Sequence, residues 1–131
     1  MIRQDYFIRM IQEIFAAIAN LLLRKKHISQ AKWEEYESTA RQILGITTDE
    51  LYQMDNQTLL TQYHDDKDGI EKLELAAMML LKMAEDTKDI VPQARLRQKG
   101  VALLKYVQTH GNTYSLSREL LIQFLESRYC S

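Results

Sequence analysis

Phe7, Ile11, Ile14, Ile18 and Leu21 recur at spacings of four and three residues, which lines them along one side of a helix. The pattern predicts a helix over about 4–26. Phe15, Ala19, Leu22 and Leu23 add apolar surface away from that stripe. A helix this oily must be covered on several sides, so it is expected either at the centre of the domain or shared with a second subunit. Asp5 at its start and Arg24-Lys25-Lys26 at its end complement the helix dipole.

A second helix is predicted over 30–44, with Ser29 as N-cap, Gly45 just past its end, and Trp33, Tyr36, Ala40 and Ile43 facing inward. The short link 26–29 makes the two helices fold back on each other. Thr47-Thr48-Asp49-Glu50 is a capping box, with Ile46 and Leu51 placed as a hydrophobic staple. It opens a short helix over 48–54, and Asp55 caps another that ends near Tyr63. The polar tract 64–69 reads as a loop and a candidate hinge. Asp68-Gly69-Ile70-Glu71 reads as a second capping box, with Asp in the capping role.

Beyond it, Ile70, Leu73, Ala77, Leu80 and Ala84 form one stripe and Leu75, Met79 and Met83 another. Together they predict a helix over 69–87 covered on two sides. The next helix is expected after Val91, with Pro92 at its first position, core residues Leu103, Leu104 and Val107, and Gly111 at its end. Gly100 is a weak point inside it. A final helix over 116–128, behind Ser115 or Ser117, carries Leu120, Leu121, Phe124 and Leu125.

The expected fold is therefore all-α, a single domain over 1–131 with five to seven helices. A first hairpin spans 1–46, short helices 47–63, a loop 64–69, a second hairpin 70–110 and a terminal helix 115–128. At a repeat period of about 34 residues, the segments around Ala31 and Ala94 each resemble the second helix of a tetratricopeptide (TPR) unit. The aromatic and small-residue positions of that repeat are poorly matched. The expectation is a TPR-like, right-handed arrangement of hairpins rather than a repeat array.

Composition narrows the class. Four glycines and one proline in 131 residues suit long helices, and the 46% apolar and 27% charged fractions are those of a folded globular chain. Seventeen basic residues against 18 acidic give a net charge of −1. Nucleic acid is therefore not an expected partner, because phosphate neutralisation needs a basic surface. The basic tract Arg24-Lys25-Lys26-His27 with Lys32, and the set Arg95, Arg97 and Lys99, read as dipole compensation and solvated surface. The apolar run 14–23 is shorter than the roughly 20 residues that span a bilayer and lacks the flanks of a signal peptide. A lone Cys130 implies no disulfide framework and points to the cytoplasm.

Met1-Ile2-Arg3-Gln4-Asp5-Tyr6, with Arg9-Met10-Ile11 a turn later and Gln42-Ile43-Leu44-Gly45-Ile46 further on, resembles the first half of an uncharacterised bacterial family of small helical proteins, a domain of unknown function. The resemblance implies a helical-hairpin fold and carries no activity, substrate or cofactor.

Candidate chemistry is sparse. His64, Asp65, Asp66 and Asp68 crowd one loop, but without the spacing or closing Glu of a calcium loop, and they read as solvated and capping residues. No metal ligand or cofactor is assigned. Cys130 has no neighbouring His in sequence, and no serine lies in a nucleophile-elbow motif. Glu34 and Glu37 share a helix face with Lys32 and Arg41 nearby, the pattern of a wet surface. No catalytic residue is assigned, and the chain is not expected to be an enzyme.

What remains is a set of partner-binding candidates: Tyr6 and Arg9 on one face of the first helix, and Met78, Met79 and Met83, since methionine serves both cores and adaptable surfaces. The expected function is a non-enzymatic interaction or scaffold module with a protein or peptide partner, able to form a homodimer through its first helix. The alternative is a small-ligand-binding protein or enzyme with a pocket between hairpins.

Overall fold

The computed structural model describes residues 2–112 and 114–129; Cys130 lies outside them. Seven helices occur among the described residues: α1 Ile2–Arg24, α2 Gln30–Leu44, α3 Thr48–Gln53, α4 Asn56–Gln62, α5 Gly69–Asp86, α6 Ile90–His110 and α7 Leu116–Tyr129. There is no strand among the described residues, so the fold is all-α.

The centre of the domain is α5 rather than α1. Leu75, Ala76, Ala77, Met78, Met79, Leu80 and Leu81 are all buried, so α5 is covered all round where they lie. It packs against α1, α2, α3 and α6, while α1 packs on α5, α2 and α7. Of the two expectations for the first helix, the central place falls to α5, which carries two apolar stripes and no charge at all over 75–81. Its Lys82 is sheltered with its ammonium 4.3 Å from the Trp33 ring centre and paired to Asp86.

The α5–α6 hairpin is the most extensive contact in the molecule. Gly100 makes it so: a Cβ there would lie 2.8 Å from Leu81 Cγ and Cδ2 and 3.1 Å from the Ala77 carbonyl oxygen. The glycine that looked like a break in the helix instead lets two helices approach closely, and α6 runs unbroken through it.

Local signals set most helix ends. Ser29 Oγ accepts the Lys32 N–H, and Gly45 ends α2 in the left-handed conformation with φ +77°. The Thr47 capping box is complete, with Glu50 Oε1 accepting the Thr47 N–H at 2.8 Å and Thr47 Oγ1 accepting the Glu50 N–H at 3.1 Å. Ile46 and Leu51, the staple pair, are both buried. Asp55 caps α4 through the Thr58 N–H, and Ser115 caps α7 through the Arg118 N–H.

Three boundaries differ from expectation. First, α1 stops at Arg24 because Lys25 turns left-handed at φ 58°, and the Lys26 N–H closes back onto the Asn20 carbonyl, a helix stop that usually uses glycine. Second, Asp68 makes no capping bond. Asp66 instead accepts the Asp68 N–H, the amide that a capping box assigns to Glu71, at 2.8 Å, and the Lys72 ammonium at 2.7 Å. Third, α6 begins at Ile90, so Pro92 occupies its third position rather than its first. The amide it lacks is one of the four that have no partner in any helix.

Candidate functional site

The residues singled out as partner-binding do not gather into one site. Met78 and Met79 are 0% and 1% exposed, deep in α5, and no partner can reach them. Their spacing reads equally well as core or surface, and α6 supplies the cover that settles the matter. Met83 is half-buried and packed against the core. Tyr6 is 39% exposed near the start of α1, and Arg9 lies with its guanidinium 5.8 Å from the Tyr6 ring centre. The two form a small surface cluster.

The loop carboxylates serve the fold. Burial opposes the charge on Asp66, but the Lys72 ammonium and the Asp68 amide outweigh it and hold the carboxyl below its ordinary range. His64 Nδ1 lies 3.0 Å from Asp65 Oδ1 on the exposed surface. No group of three His, Cys, Asp or Glu side chains able to hold a metal ion occurs among the described residues.

Two surface features went unread in the sequence. The first is a groove of about 480 Å³ between α1 and α7. Its α1 wall presents Phe15, Ala16, Ala19 and Leu23, and its α7 wall Ser117 and Leu120. Leu23, Leu116 and Leu120 are 37%, 62% and 51% exposed. Leu120 was expected in the core, but the inward face of α7 belongs to Leu121, Ile122 and Leu125. Glu74 and Arg118, paired at 2.6 Å, also line the groove. The apolar surplus noted on the first helix is thus partly real, because α5 covers one side of α1 and leaves this side open. By length and composition the longer stretch Asp5–Arg24 could cross a membrane, a test that the core helix of a folded domain also passes. Here Ile11, Ile14, Ile18 and Leu22 of that helix are buried in the core.

The second is a cleft of about 400 Å³ where the α3–α4 corner meets α6. Its walls are Tyr52, Met54 and Asp55 on one side and Pro92, Arg95, Leu96 and Lys99 on the other. Lys99 spans the cleft: its ammonium donates to the Tyr52 carbonyl at 3.1 Å and the Leu51 carbonyl at 3.5 Å, near the negative end of α3. Burial lowers the pKa of Lys99 and the neighbouring Arg95 lowers it further, against the pull of Asp55. The Asp55 carboxylate is committed to the Thr58 amide, which holds its pKa down. Asn56 donates through Nδ2 to the Lys99 carbonyl at 3.2 Å, leaving Oδ1 buried without a donor among the described residues. Spacing hid this cleft. Tyr52 and Arg95 are far apart in sequence and meet only because α4 packs on α6 and α3 on α5.

No protein-family model matches this chain, and no curated protein and no solved structure matches it either.

Proposed function

We propose that this chain is a non-enzymatic interaction module that self-associates through the groove between α1 and α7. The observation that carries the reading is the pair of exposed leucines on opposite walls of the groove, Leu23 and Leu120, beside the small side chains Ala16 and Ala19, with exposed Leu116 one turn before Leu120 on α7. Apolar side chains gathered in a groove mark a contact surface when they adjoin one another, whereas scattered ones do not. Small residues let a second helix come close.

The occupant is α1 of a second copy. Antiparallel pairing about a two-fold axis near Ala19 and Asn20 sets Leu23 of one copy over Ala16 of the other, large against small, twice in the same interface. We read the chain on this basis as a cytoplasmic scaffold of TPR-like type.

Sedimentation equilibrium from micromolar to millimolar concentration tests the proposal. The wild type is expected to pass from monomer to dimer, and Leu120→Asp, a change at an exposed position, to weaken the dimer tenfold or more. A wild-type chain that stays monomeric throughout the series would overturn it.

A further inference from the structure

The cleft at the α3–α4 corner is chemically unlike the groove that carries the self-association reading, and it does not depend on that reading. Arg95 makes no ion pair among the described residues. Lys99 satisfies two of its three N–H groups on backbone carbonyls. The one acid in the walls, Asp55, is held by the Thr58 amide. Two cations therefore face one committed carboxylate, and they sit close enough for Arg95 to act on Lys99. A carboxylate entering between them would relieve that repulsion and form charge-assisted hydrogen bonds.

Apolar surface flanks the charges on both sides. Val91, Arg95 and Lys99 recur every fourth residue along α6, so they share a face. Val91 and the adjoining Ile90 are 68% and 79% exposed, and across the cleft Tyr52 is 43% exposed. A small anion between Arg95 and Lys99 would leave Ile90 and Val91, which lie outside the cleft, in water. A ligand that covers them together with Tyr52 must run the length of the cavity and past its Pro92 side, which is the reach of a chain rather than of a metabolite.

We propose that this cleft binds a peptide segment of another protein in which a carboxylate side chain is flanked by aliphatic ones. The carboxylate lies between Arg95 and Lys99, one aliphatic side chain covers Ile90 and Val91, and another packs on Tyr52. Binding is weakened by salt, because the charged step is half-exposed.

Random-peptide phage display on the whole protein, followed by fluorescence anisotropy with a synthesised copy of the strongest selected peptide, tests this. The selected sequences are expected to share Asp or Glu between aliphatic residues. Binding is expected to fall at least tenfold with Arg95→Glu and with Gln replacing the peptide's acid, and to survive Leu120→Asp in the other groove. Circular dichroism of each variant checks that the fold is intact, and Arg95 is exposed, so its replacement leaves the core alone. Selected peptides without an acid, binding indifferent to Arg95→Glu, or no selection at all would overturn the proposal. So would inorganic phosphate stabilising the wild type but not Arg95→Glu to the extent the peptide does, since the site would then be a simple anion site.

Discussion

Arg118 of α7 donates its Nε–H to Glu74 of α5 at 2.6 Å, with the two side chains only 9% and 14% exposed. The same guanidinium reaches Gln108 of α6, so one cation ties the last helix to both halves of the α5–α6 hairpin. Removing one partner of a sheltered pair leaves a charge with no compensation, which costs far more than losing both. Glu74→Leu is expected to destabilise the fold by about 3 kcal/mol, and Glu74→Leu with Arg118→Met by much less. Urea unfolding of the two variants checks this, and equal losses would show that the pair contributes attraction rather than mere mutual compensation.

Gly100 offers a contest between two effects of opposite sign. Alanine in the middle of a helix is favoured over glycine by about 1 kcal/mol. Here the added methyl would sit 2.8 Å from Leu81 and 3.1 Å from a backbone carbonyl. Overpacking of a filled core costs roughly 1–3 kcal/mol, and Leu81 is itself buried with little room to yield. Packing wins: Gly100→Ala is expected to lower the thermal midpoint. An unchanged or higher midpoint would mean that α5 and α6 have slack where they cross.

Tyr63 gives the fold an alkaline limit. Its hydroxyl donates to the Leu44 carbonyl at 2.7 Å. Burial, with Asp66 and Glu50 nearby, pushes its pKa up from 10.0 to about 12. The folded state therefore holds this proton more tightly than the unfolded chain does. The resulting stability is complete below pH 10, declines as pH rises, and is gone above about 12. A shift of that size is worth at most roughly 3 kcal/mol. Tyr63→Phe should be less stable than wild type at neutral pH and should show a shallower decline between these limits. Parallel alkaline curves for the two proteins would assign the decline to other groups.

Much of this architecture is legible in spacing and capping. The bounds of α2 and the capping box at Thr47 follow from residues within one turn of each other. Local chemistry fails where a tertiary neighbour decides. Asp68 looks like a cap, but its side chain makes no capping bond, and Asp66, steadied by Lys72, accepts the Asp68 amide that a capping box assigns to Glu71. Lys25 ends α1 in a conformation its side chain does not advertise. Met78 and Met79 carry no sign of their depth, which depends on the helices packed round α5. The two grooves are illegible for the same reason: each is a meeting of helices distant in sequence, and periodicity describes one helix at a time.

The position of α5 has a consequence for how the protein is made. Ile11, Ile14, Ile18 and Leu22 leave the ribosome before their cover, Gly69–Asp86, which is synthesised only after α2, α3 and α4. At about 5–20 residues per second, the side of α1 that α5 will cover waits some seconds with only α2 beside it. The core of the nascent chain therefore closes late, when α5 emerges.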